Sequence, residues 1–461
     1  MSFRKFAIGL ILVCTTLVQQ AVAEPFPSTY EPLPSGPVLI VNATILTGTG
    51  ERIDGGNLLL SNGIIEALGE ETIKADKKTT VIDAEGRWVT PGLIDVHSHL
   101  GVYASPGIKA HSDGNEATAP VTAEVWAEHS VWPHDPAFNR ARAGGVTTLQ
   151  TLPGSANLIG GRGVTLKNIP STSYQGMKFP GAPHGLKMAC GENPKRVYGG
   201  KGRSPSTRMG NVAGYRAQWI EAQRYLQEWQ DWEKNKDNKK SDKNEQAKQP
   251  KRDLKLETLA GVLKGEILVH MHCYRADEMM TILDMADEFD YKVSAFHHGV
   301  EAYKIADELA DHGVCGALWA DWWGFKAEAY DGIMENIAMV DRPEGGCAIV
   351  HSDSPEGIQR LNQEAAKAMS RGNRAGIEIT PEHAIRWITT NPAQAMGILD
   401  QTGSLEAGKM ADVVIWNGNP FSVYAKADQV FVDGALLYDR HNPARQPLSD
   451  FELGQQLGVQ E

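Results

Sequence analysis

Residues 90–100 read TPGLIDVHSHL, an apolar run that ends with His97 and His99 two positions apart. In a strand, residues i and i+2 share a face, so both imidazoles could meet one ion. Polar residues also commonly close strands, and this pair alone leaves a metal site and a strand end equally open. Three further apolar runs finish the same way. GEILVHMHCYRAD carries His270 and His272, KVSAFHHGVE carries His297 and His298, and CAIVHSDSPE carries His351 and Asp353. Imidazole nitrogen and carboxylate oxygen suit Zn²⁺ and related divalent ions, which can activate water for hydrolysis. Separate strands ending in such residues make a site only if a fold brings their ends together.

The pattern around these runs supplies such a fold. From 92 to 398, apolar strands such as VTTLQTL, GLKMA and CAIVHSD alternate with helical stretches such as EMMTILDMADEF and AYKIADELADHG. Alternation on that scale predicts βα units around a parallel sheet, and its length suits a (β/α)₈ TIM barrel. In that fold the C-terminal strand ends converge on one face, where catalytic groups sit. The flanking segments differ. Residues 36–91 contain short β-rich runs between Gly, Asn and Asp turns, and 399–446 return to that style with ADVVIWNG and ADQVFVDGALLYDR. The two segments are expected to pair as one small composite β-sandwich, giving an α/β chain of barrel plus β domain. A charged run at 233–255, EKNKDNKKSDKNEQAKQPKRDLK, reads as a solvated extension inserted into the barrel, because its charges are mixed and no aromatics interleave.

Composition narrows the partners. Residues 1–23 have a basic start, an apolar stretch and Ala21-Val22-Ala23, the form of a secretory signal peptide. Its removal would take the net charge from −12 to about −14. An acidic body argues against nucleic acid as a partner, no later segment reads as a membrane anchor, and export to the periplasm or exterior is expected. Four cysteines remain, Cys190, Cys273, Cys315 and Cys347, at wide spacings with no CxxC pair. They are read as buried small hydrophobes in preference to disulfides.

Taken together, VTPGLIDVHSH, the strand-end histidines, the Asp of HSD and the closing TTNPAQAMGILDQTGSLEAGKMADVVIWNGNP resemble the amidohydrolase superfamily of metal-dependent hydrolases. Within it the chain is similar to imidazolonepropionase-related and Xaa-Pro dipeptidase-like members. The resemblance covers nearly the whole chain after the leader. It implies His97 and His99 as first-strand ligands, His272 as the fifth-strand ligand, His298 as the sixth and Asp353 as the eighth. Of the pair 297–298 only one should reach the ion, because adjacent strand residues face opposite sides. GLKMACGENPK matches the fourth strand, where related binuclear members have a carboxylated lysine, here Lys187. Carboxylation would turn a repelled ammonium into a bridging carboxylate.

The activity so implied is hydrolysis of an amide-like C–N bond by a metal-activated hydroxide. Asp353 would serve as general base and then acid, two divalent ions, with zinc well suited, would be the cofactors, and a small amide or peptide would be the substrate. Tyr274 matches a tyrosine that contacts substrate carboxylate in related members, and Arg275 beside it is a second substrate-binding candidate. A one-ion deaminase on the same fold would keep the histidines and Asp353 without needing Lys187. A noncatalytic relative is the third alternative, and homo-oligomerisation stays open. The Gly-rich stretch 154–168 lacks the Gly-Lys-Ser/Thr ending of a phosphate loop and reads as a loop near the barrel mouth. Trp322, Trp323 and Tyr330 fall where the seventh strand should end, as either pocket lining or packing.

Overall fold

A computed structural model describes residues 25–236, 248–322 and 324–446. The leader at 1–23, the middle of the charged run and Trp323 lie outside the described residues.

The chain opens with five short strands: β1 (Val38–Leu46), β2 (Arg52–Ser61), β3 (Ile64–Gly69), β4 (Thr80–Asp83) and β5 (Trp88–Pro91). Asn62-Gly63 joins β2 to β3 with φ of 52° and 80°. That is the double left-handed turn whose twist matches a hairpin, and Asn-Gly adopts it at least cost. Eight strands then form a second sheet: β6 (Leu93–Ser98), β7 (Val146–Thr151), β8 (Ile159–Lys167), β9 (His184–Ala189), β10 (Ile267–His272), β11 (Val293–His297), β12 (Cys315–Leu318) and β13 (Ala348–Val350). The chain closes with β14 (Val413–Trp416), β15 (Ala427–Val432) and β16 (Ala435–Asp439).

The first five strands and the last three make one hydrogen-bonded sheet. Its seam is β5 against β14, antiparallel, with Trp88 opposite Trp416 and Pro91 opposite Val413. Side chains from both halves, among them Ile40, Ile45, Val89, Val413 and Phe431, share one buried cluster.

The second sheet runs in sequence order from β6 to β13. Asp353 N donates to His97 O at 3.1 Å, drawing the end of β13 against β6 so that the sheet nearly closes into a barrel. Helices such as Ala276–Phe289 and Leu361–Arg374 bury their apolar residues against its outside.

Two expectations need correction. The sheet is not wholly parallel, because β8 runs antiparallel to both β7 and β9. Residues 152–158, all that lies between β7 and β8, are too few for the crossover that a parallel partner requires. Most of the Gly-rich stretch is therefore strand β8, and only its first residues form a loop at the mouth. Glycine fits there because the backbone is crowded: a Cβ on Gly161, at φ +111°, would lie 2.4 Å from Val125 O.

The cysteines are not free either. Cys190–Cys273 and Cys315–Cys347 are disulfides. The first links the residues that follow β9 and β10 at the mouth, and the second links the starts of β12 and β13 at the opposite end. Separations of 83 and 32 residues hide a pairing that only strand adjacency makes visible.

β8 ends on Lys167, which is fully buried at the junction of the two sheets. Its ammonium lies 2.8 Å from both oxygens of Asp412 and 3.1 Å from Asp433. Both carboxylates come from the C-terminal part of the β domain, so an ion cluster ties the barrel to it.

Candidate metal centre

Strand alternation decides which side chains enter the barrel. On β6 the pairing with β7 slips between Asp95 and Ser98, and past that slip His97 turns to the interior, its ring against that of His297. On β10 the outward residues are Val269 and Met271, so His270 and His272 face in. Asp95 is fully buried and accepts from the backbone N–H of His97 at 3.1 Å and of Ser352 at 3.3 Å, with a further bond from the Ser352 hydroxyl. It joins the first and last strands under the site, a position for which the sequence carried no signal. Burial raises its pKa to about 7, opposed by the bonds from Ser352 and His97.

The tightest group is His97, His99 and Asp353, whose potential ligand atoms all lie within 4.8 Å of one another. An Asp353 oxygen is 3.1 Å from His99 Nε2 and 3.4 Å from His97 Nε2. Two ligands bound tetrahedrally at about 2.0–2.1 Å stand roughly 3.3 Å apart, so this spacing fits one divalent ion. Protonation fits as well. His99 Nδ1 meets Leu152 O at 2.8 Å, and a carbonyl can only accept. His99 Nδ1 therefore donates to Leu152 O, and Nε2 is the atom turned to Asp353.

Burial, and next the Lys187 charge, pushes His97 well below the ordinary histidine pKa, keeping it in the neutral form that binds metal. Burial alone would raise Asp353, but the hydrogen bond and charge of His99, helped by His351 and Lys187, hold it below the usual carboxylate range.

Lys187 is fully buried on β9, with Nζ 3.0 Å from Pro153 O and 3.4 Å from His97 Nε2. Burial pushes its ammonium down to about 8. A substantial neutral fraction follows near that pH, and the neutral amine is the form that can add carbon dioxide.

His298 Nε2 lies 3.8 Å from the second Asp353 oxygen, and its ring stacks on Trp319 at 4.3 Å. His272 stands further round, with Nε2 3.3 Å from the Asn193 amide and its ring 4.9 Å from that of His298. Burial pushes both imidazoles well below their ordinary pKa. The buried Nδ1 atoms of both, and both nitrogens of His351, have no hydrogen-bond partner among the described residues. A donor set of neutral imidazoles with unpaired buried nitrogens, a carboxylate and a modifiable lysine fits divalent metal.

The rule that adjacent strand residues face opposite sides does not hold for His297 and His298, since both turn to the interior. His297 is the inward residue of β11 and bonds His97 at 2.8 Å. His298 leaves the strand at φ +62° and turns to the same side. Asp353 is likewise left-handed, at φ +50°. Non-glycine residues adopt this conformation at a cost, and it recurs where function requires a side chain to be re-aimed.

The two substrate-binding candidates separate. Tyr274 is buried with its ring 4.6 Å from His272. Arg275 turns away and is held by Asp277 at 2.8–2.9 Å, so the fold does not bring it to the histidines. Trp322 stacks on Trp319 at 5.5 Å and is partly exposed, whereas Tyr330 is largely exposed. Lys326, unnoticed in the sequence, reaches Asn193 Oδ1 at 3.1 Å and lies 4.3 Å over the Tyr274 ring.

The mouth of a barrel built this way is where enzymes of the fold carry their chemistry. Comparisons with known proteins define the class further. The model described as "Amidohydrolase family" matches residues 350–438. A solved amidohydrolase structure from Thermotoga maritima MSB8 superposes with a TM-score of 0.79 at 35% identity, covering 87% of this chain and 100% of that one. The amidohydrolase tasK of Hapsidospora irregularis is 32% identical over 436 residues, which is 87% of this chain but 43% of the relative. The chain thus spans less than half of that relative's length. An imidazolonepropionase of Mesorhizobium japonicum is 24% identical over 399 residues, 79% of this chain and 87% of its own. The chain belongs to the amidohydrolase family.

Proposed function

We propose that this protein is an exported, divalent-metal-dependent hydrolase that cleaves the C–N bond of a small amide, a short peptide or a cyclic amide. The observation that carries the reading is the meeting of His97 Nε2, His99 Nε2 and an Asp353 oxygen at ligand spacing. In this reading His97, His99, Lys187, His272, His298 and Asp353 hold the metal. The metal, when bound, lowers the pKa of water toward neutrality and polarises a carbonyl as a Lewis acid.

The remaining steps belong to the chain. Asp353, ionised at neutral pH, takes the proton from the attacking water and returns it to the departing nitrogen. Bonds from His97 and Ser352 to Asp95 fix the strands that carry the ligands. Tyr274 and Trp319 wall the site beside His272 and His298 and keep its polar groups away from bulk water. Export is supported by the leader-like start of the sequence and by two disulfides, which persist in oxidising compartments.

A one-ion deaminase is the second reading. It is favoured by the ligand cluster, which among the described residues comprises three side chains only. Two ions per chain with a modified Lys187 support the first reading, and one ion with a free amine supports the second. The test of function is a screen of dipeptides, acylated amino acids and lactams with metal-replete protein. Turnover should vanish on chelation and in Asp353→Ala, and substantial activity in that variant would sink the role given to Asp353.

A further inference from the structure

Three fully buried histidines from three strands form a hydrogen-bonded file beneath the candidate metal centre. His97 Nδ1 lies 2.8 Å from His297 Nδ1, and His297 Nε2 lies 2.9 Å from His270 Nδ1. The file has one end in the site, where His97 Nε2 faces Asp353 and Lys187. Its other end is His270 Nε2, which has no partner among the described residues. The fold makes room for the last ring: a Cβ on Gly185 of β9 would lie 2.8 Å from His270 Cδ2.

We propose that His297 and His270 are positioning residues that fix His97 in the tautomer with its proton on Nδ1. This rests on the reading of His97 as a metal ligand. A neutral imidazole carries one proton on two nitrogens, and each contact in the file needs one donor and one acceptor. With His97 Nε2 given to an ion, His97 Nδ1–H must donate to His297 Nδ1. His297 then donates from Nε2 to His270 Nδ1, and His270 keeps its proton on Nε2. Both proton positions and ring angles are set by a chain of contacts, without a carboxylate. Ligand histidines commonly donate their other N–H to a carboxylate or carbonyl, as His99 does to Leu152 O. For His97 that part falls to an imidazole.

Glutamine can imitate His297, since its amide oxygen accepts and its NH₂ donates, whereas leucine keeps bulk and does neither. Full-length His297→Gln and His297→Leu are compared with wild type for zinc affinity against a competing chelator. The thermal midpoint of each metal-free protein is measured alongside. His297→Leu should lose about 10–100-fold in zinc affinity while its metal-free midpoint stays near wild type, and His297→Gln should bind close to wild type. Wild-type affinity in the leucine variant, or an equal loss in both variants, overturns the proposal. Should the leucine variant not fold, ¹⁵N spectra of histidine-labelled, zinc-loaded wild type decide. A proton on His97 Nδ1 upholds the proposal, and an unprotonated Nδ1 overturns it. A wild type that binds no zinc overturns the metal reading as well, whereas a zinc-binding wild type with an unaffected leucine variant overturns this inference alone.

Discussion

Lys167→Met removes a cation that sits between two buried carboxylates at the junction of barrel and β domain. Lys167, Asp412 and Asp433 are all nearly inaccessible to solvent, and the contacts are 2.8 Å and 3.1 Å. Methionine roughly fills the space but leaves both carboxylates uncompensated. Breaking a buried pair costs about 3–5 kcal/mol, and a lysine shared by two acids puts the loss toward the upper end.

The deficit should depend on pH in a definite direction. Burial, and next the Asp412 charge, already raise the Asp433 carboxyl above its ordinary pKa in the folded protein. A raised folded pKa contributes stability that is full below the unfolded value and is lost as pH rises through the folded one. Loss of Lys167 raises that carboxyl further, so the variant should fall further behind wild type at about pH 8 than at about pH 5. Chemical denaturation of metal-free protein at both values is the assay. A triple variant, Lys167→Met with Asp412→Leu and Asp433→Leu, should regain most of the loss, because no charge is then stranded. A single variant as stable as wild type, or a deficit that grows on acidification, would refute the reasoning.

The disulfides should act on stability through the unfolded chain. From loop closure alone, Cys190–Cys273 with its separation of 83 residues contributes about 4–5 kcal/mol and Cys315–Cys347 with 32 about 3–4, so a reductant should lower the denaturation midpoint. An unchanged midpoint after verified reduction would contradict this. Gly161→Ala forces a left-handed alanine against Val125 O and should cost at least ~1–3 kcal/mol, read from the thermal midpoint. His99→Ala should release zinc into a chelator far faster than wild type while the protein keeps its far-UV circular dichroism.

How much of this could be read from residue order differs from element to element. The pair His97 and His99 was legible because a period of two needs only local geometry. The barrel was legible because apolar runs and amphipathic helices alternate over the right length. His298 was reachable through family resemblance alone: strand alternation excluded either it or His297, and a residue at φ +62° breaks that rule without a sequence signal. The cysteine pairing has no signature in the sequence, because it follows from which strands are neighbours. β8 reads as a loop in the sequence because glycines that admit close backbone approach look the same as glycines that turn. Lys167 was silent, since its partners lie 245 and 266 residues away.

The most direct test of the metal centre is diffraction from zinc-loaded crystals on either side of the zinc absorption edge. An anomalous peak should lie about 2.0–2.2 Å from His97 Nε2, His99 Nε2 and an oxygen of Asp353. No peak at the barrel mouth after loading, or a zinc site held by other side chains, would contradict the assignment.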